Sequence, residues 1–153
     1  MKFEYKLIGR GWASGYIEVN SKKFDFTASY LNDALHDLLQ SLLIITPDCS
    51  PYPVKKSTFE LEEEPGGTVW IFKRIDGENL SITIVSYEDL DNKVINQLQF
   101  KEVCKLDDLI KEVVKTVSKI LKTHGIEGYK ESWGNYDFPI NEFQILNNYI
   151  TKF

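Results

Sequence analysis

The chain has 153 residues, 42% of them hydrophobic and 27% charged, with a formal net charge of −5. This composition describes an ordinary globular domain spanning residues 1–153, long enough to bury a core without a metal or disulfide staple. The acidic balance argues against a general nucleic-acid binder, which works by displacing counterions from phosphates.

The N-terminal stretch MKFEYKLIGRGW alternates charged with apolar residues and has no apolar core of a secretory signal. The longest apolar run, Leu42 to Ile45, is too short to cross a bilayer. The expected setting is the cytoplasm, with no membrane partner. Cys49 and Cys104, the only cysteines, lie far apart and lack CxxC spacing, so neither a zinc site nor a disulfide framework is expected. No cofactor is expected either.

Phe3, Tyr5 and Leu7 alternate with Glu4, Lys6 and Ile8, and a second alternating set runs from Tyr16 to Asn20. Gly9-Arg10-Gly11 between them reads as a turn or bulge, and Phe24 to Thr27 as a short third strand. The period then changes. Leu31, Ala34, Leu35, Leu38, Leu39, Leu42 and Leu43 recur at helical spacing, which predicts an amphipathic helix over 30–46 with Ser29 as N-cap and Pro47 as its stop. Residues 47 to 56, with three prolines, read as a loop.

Thr58–Glu62, Thr68–Ile75 and Asn79–Ser86 alternate again, joined by Glu64-Pro65-Gly66-Gly67 and by Asp76-Gly77. Those are turn signals, so three consecutive antiparallel strands are expected. Tyr87–Asn96 reads as a polar loop and Gln97–Lys105 as a strand. A second long helix is expected from Asp107 or Asp108, with Leu109, Ile110, Val113, Val114, Val117, Ile120 and Leu121 on its apolar face and His124-Gly125 at its end. Glu127 to Asp137 reads as irregular. Its aromatic residues Tyr129, Trp133 and Tyr136, with the adjoining Phe138, are expected to dock on their own domain. Pro139 then opens a short terminal helix.

Antiparallel meanders interrupted by helices predict an α+β fold. The expected form is a single antiparallel sheet of six to seven strands, with two long helices on one face and a short C-terminal helix.

Several residues are candidates for chemistry. Asp33, His36, Asp37 and Gln40 share the helix face opposite the leucines, so Asp33 would orient the His36 imidazole. No nucleophile or second histidine stands ready to complete that site, and the expectation is a solvated face. Glu60, Glu62 and Glu64 share the strand face opposite Phe59 and Leu61, and Glu88, Asp89 and Asp91 follow nearby. Between residues 58 and 91, nine acidic residues stand against Lys73 and Arg74. Lys111, Lys115 and Lys119 form a stripe on the second helix. Trp70 and Phe72 share one strand face. A two-residue Asp76-Gly77 turn would leave this aromatic pair on the reverse of the apolar face and open to a partner. A longer loop would pair Trp70 and Phe72 with Ile82 or Ile84 instead.

Tyr30-Leu31-Asn32-Asp33-Ala34-Leu35, Glu64-Pro65-Gly66 and Trp70-Ile71-Phe72-Lys73-Arg74 with Leu80-Ser81-Ile82 carry a resemblance over residues 28–88. In these motifs the chain is similar to small, functionally uncharacterised bacterial proteins, some of them encoded as immunity proteins beside secreted toxins. The motifs are structural and transfer no functional residue. The resulting expectation is a non-enzymatic cytoplasmic binding protein of the immunity type. It would neutralise a basic partner, a toxin, through Glu60, Glu62, Glu64, Glu88, Asp89 and Asp91, with Trp70 and Phe72. The alternatives are a small enzyme around Asp33 and His36, and a structural subunit of a homo-oligomer.

Overall fold

The computed structural model of the chain describes residues 1–152, apart from the side chain of Val94. Seven strands and three helices follow in the order β1 (Lys2–Leu7), β2 (Trp12–Val19), β3 (Lys22–Ser29), α1 (Ala34–Ile45), β4 (Lys56–Glu62), β5 (Gly67–Arg74), β6 (Asn79–Asp89), β7 (Val94–Lys105), α2 (Leu106–Ser132) and α3 (Ile140–Ile150). The class is α+β, but the expected single sheet is not present. There are two antiparallel sheets, a three-stranded β1-β2-β3 meander and a four-stranded β4-β5-β6-β7 meander.

The reason for the division lies along the outer edge of β4. Its backbone groups would complete a larger sheet if another strand paired there. Side chains satisfy them instead. The Asn32 amide donates to the Glu60 carbonyl at 2.9 Å and accepts from the Glu62 N–H at 3.3 Å. Ser29 Oγ donates to the Glu62 carbonyl at 2.7 Å, and Ser41 Oγ to the Thr58 carbonyl at 3.3 Å. A covered edge needs no further strand, because its polar groups already have partners. The helices also separate: α1 packs along β4 and α2 along β1, so they do not share one face of one sheet.

The two sheets and three helices nevertheless bury a common core. Phe26 of β3 meets Trp70 of β5 edge to face, with ring centroids 5.1 Å apart, and Phe59 lies 5.4 Å from the same indole. Leu35, Leu38, Leu39 and Leu42 of α1 and Leu109, Ile110, Val113 and Val117 of α2 are buried, as their helical spacing predicts. Leu31 is 42% exposed, because it precedes the helix. Asp33 stands at the N-cap position, while Ser29 remains in β3 with its hydroxyl engaged at β4.

Other differences are local. The β5–β6 connection pairs Arg74 with Leu80, so Trp70 lies opposite Ile84 and Phe72 opposite Ile82. The longer of the two loops is therefore the one formed, with the Asp76 carboxylate accepting from the Glu78 and Asn79 amides at 2.8 Å each. Those bonds hold the Asp76 carboxyl below its usual pKa. Tyr87–Asn96 is mostly strand rather than loop, since β6 and β7 extend past the core as a solvated hairpin in which Tyr87 faces Asn96. A register shift at Ile84/Val85 places Phe100 inward and Leu98 outward, breaking the alternation that joined them. In α2, Gly125 takes φ +68° and ψ 175°, a region open essentially to glycine alone but not the left-handed cap expected of a helix-ending residue, and helix resumes beyond it and carries Tyr129 into the core.

Candidate functional site

Because Phe59 and Leu61 of β4 point into the core, Glu60 and Glu62 point out. The turn after them lies flat against the far end of β6. A Cβ on Gly66 would collide with the Tyr87 carbonyl, and one on Gly67 with the Leu61 carbonyl, so this close approach needs glycine at both places. The Leu90 amide donates to the Pro65 carbonyl at 3.4 Å, fastening the β4–β5 turn to the β6–β7 turn. In this way Glu60, Glu62 and Glu64 come to the same end of the sheet as Glu88, Asp89 and Asp91.

These carboxylates are not equivalent. Asp89 closes its own turn: Oδ1 accepts from the Asp91 amide at 3.0 Å and Oδ2 from the Asn92 side chain at 2.8 Å. Glu60 pairs with Lys93 at 2.7 Å, and the same ammonium lies over the Tyr87 ring. Glu63, beside them, accepts from the Thr27 hydroxyl at 2.6 Å. Burial first, and then the charges of Glu60 and Asp91, raise the Glu62 pKa despite the opposing Lys93. Glu64, Glu88 and Asp91 are exposed and make no ion pair among the described residues. Trp70 and Phe72 are not part of this surface. Each is 1% exposed, because the longer β5–β6 loop turns them into the core, so they are out of a partner's reach.

The acidic end continues onto α1. Asn32, clamped to β4, also reaches Asp37 Oδ2 at 3.3 Å. His36 places Nδ1 3.1 Å from Asp37 Oδ1 and Nε2 3.5 Å from Glu142 Oε1 of α3. The orienting carboxylate is therefore Asp37 rather than Asp33. Burial pulls the imidazole pKa down, but the Asp37 hydrogen bond with the charges of Asp33 and Glu142 outweighs it, and the net direction is up.

Asp33 turns toward the interior. Its Oδ1 is buried without a hydrogen-bond partner, as are the hydroxyls of Tyr5 and Tyr129. Burial raises the pKa of Asp33 and of both phenols, and the Asp33 charge raises both phenols further. The alternation of β1 placed Tyr5 correctly on an inward face, yet nothing in sequence spacing associates it with Asp33 or Tyr129, residues 28 and 124 positions away.

An imidazole between two carboxylates has the geometry of a general acid–base group. A groove of about 650 Å³ lies between β1 and α2, lined by Phe3, Tyr5, Lys115, Thr116, Lys119 and His124 among others, and His36 is not in its wall. Cys49 and Cys104 are half-buried free thiols whose pKa burial pushes up to about 11, so neither is a thiolate nucleophile near neutral pH. Among the described residues, no three His, Cys, Asp or Glu side chains are grouped to hold a metal ion. Among the same residues, no helix is long and apolar enough to cross a membrane. Compared with protein-family models, with curated proteins and with solved structures, the chain matches none.

Proposed function

We propose that this chain is a non-enzymatic binding protein of the cytoplasm that neutralises a basic protein partner, as immunity-type proteins do with toxins. The observation that carries this reading is the convergence at one sheet end of acidic residues from the β4–β5 hairpin and the β6–β7 hairpin, of which Glu64, Glu88 and Asp91 form no ion pair among the described residues. Such a surface attracts a basic partner at long range and selects against an acidic one. The neighbouring Asp37 and Glu142 extend the same sign of charge around His36. An enzyme reading stands on His36 alone, which does not line the groove between β1 and α2. A homo-oligomer joined through Trp70 and Phe72 is not retained, since both are buried.

The test is association kinetics with the partner captured from native cells. Reversing Glu64, Glu88 and Asp91 to lysine is expected to slow association about tenfold at low salt. The difference should shrink as the ionic strength rises and exposed charges are screened beyond about 8–10 Å. An unchanged association rate at low salt would overturn the reading.

A further inference from the structure

The outward face of the four-stranded sheet combines two features. β5 carries Val69-Trp70-Ile71-Phe72, apolar on both faces, which is the pattern of a strand covered on both sides. Its inner face is covered by the core. Its outer face is not: Val69, Ile71 and Val85 are half-buried, and the register shift in the β6–β7 ladder turns Leu98 out to 57% exposure beside them. Neither α1 nor α2 lies over this face, since both contribute their apolar sides to the core.

The second feature is the order of charge along the strands. On the outward face of β4, Glu62 stands at one end beside Glu60, which is paired with Lys93, and Lys56 stands at the other, with Lys73 of β5 directly opposite Lys56. Lys101 of β7 lies in the Thr83 row, on the lysine side of Val85 and Leu98. The apolar residues occupy the middle. Such a face is complementary to a reversed copy of itself.

We propose that the occupant of this face is a second copy of the chain, related by a twofold axis that lies in the interface and runs across the strands. That operation sets β4 over β4 and β5 over β5 with directions reversed. Glu62 of each copy then meets Lys56 of the other, and Val69 meets Ile71. A twofold parallel to the strands through the middle of the sheet would instead set β4 over β7, with Glu60 over Leu98, and so forfeits the Glu62–Lys56 pairs. The contact is isologous, so each favourable pair occurs twice. Two aligned sheets pack face to face about 10 Å apart in this manner. Four strands span roughly 20 Å and seven residues run roughly 23 Å, so the paired face lies at or below the lower end for specific complexes, and a weak dimer is expected. Glu64 and Asp91 lie in turns and Glu88 in the part of β6 that runs past the end of β5, so the three residues reversed in the binding test lie outside the dimer contact, whereas Glu62 belongs to both surfaces.

Sedimentation equilibrium of the full chain from about 1 to about 200 µM is the direct experiment. The wild type is expected to rise from monomer to twice its mass across that range. Leu98→Lys, at an already exposed position, should remain monomeric with an unchanged thermal melt, and Val69→Lys provides a second variant. Glu62→Lys should weaken the dimer about tenfold at low salt, and adding Lys56→Glu should restore it. A wild type monomeric at the highest concentration overturns the proposal, and so does a dimer indifferent to both Leu98→Lys and Val69→Lys. Failure of the charge swap to restore association overturns the twofold axis that runs across the strands. None of these outcomes depends on the basic partner, so the dimer and the binding reading can fail separately.

Discussion

Asn32 holds two parts of the molecule together with one amide. Its carbonyl and amino groups bond to β4 as a neighbouring strand would, and they fix where α1 begins relative to the acidic strand. Asn32→Ala is expected to cost roughly 1–3 kcal/mol, since it strands the Glu60 carbonyl and the Glu62 amide. Asn32→Asp should cost no less, because a carboxylate cannot donate to the Glu60 carbonyl and adds like charge beside Glu62. Urea unfolding of both variants decides the matter, and a neutral Asn32→Asp would show that the clamp does not act through its donor. His36 makes a prediction of the opposite kind, one that depends on pH. Its pKa in the folded protein lies above the ordinary 6.5, so protonation favours the fold. That contribution is complete below the unfolded value and is lost as the pH rises through the folded one. The charged groups facing it are Asp33 and Asp37 of α1 and Glu142 of α3. His36→Gln should therefore destabilise more at about pH 5.5 than at about pH 8.5. Equal losses at both values would mean that the imidazole is held as a neutral group.

At the scale of elements, helical periodicity was the most reliable signal. The leucine stripe of α1 and the valine stripe of α2 are buried as their spacing requires, because a helix at a protein surface has only one face to hide. Gly125 shows where such reading stops. A break at this glycine was legible, but the resumption of helix afterwards depends on Tyr129 and Trp133 becoming buried, Trp133 against Tyr5 of β1 and the Asn32 carbonyl. Gly125→Ala is expected to cost about 1–3 kcal/mol, the penalty for a side chain in that conformation. A stabilising effect in thermal unfolding would mean that the break straightens into one continuous helix. The strands were less legible than the helices. Alternation identified β4, β5 and β6, but choosing between the two β5–β6 loops required Trp70 and Phe72 to have a core to enter. The shift beside Val85 was invisible for the same reason: Leu98 and Phe100 look equivalent until one of them must face the core.

For the whole molecule, the acidic residues of the candidate site were individually visible in the sequence, and their outward direction on β4 followed from Phe59 and Leu61 pointing in. Their assembly was not visible, because it depends on two turns meeting through Gly66 and Gly67 at the end of β6. The same limit explains the division into two sheets. Residue periods record which face of an element avoids water, a local property carried by each segment. Strand pairing between distant segments depends on which backbone edges remain unsatisfied after every side chain has found its place. The sequence by itself thus determined the α+β class, the presence of three helices and the buried leucine and valine stripes of the first two, and the acidic character of the middle of the chain. Only the tertiary structure decided that Asn32, Ser29 and Ser41 cover β4 and divide the strands, that Trp70 and Phe72 are core, and that His36 stands between Asp37 and Glu142. Each of those outcomes is a competition for one partner among groups far apart in the chain, and proximity in space settles it.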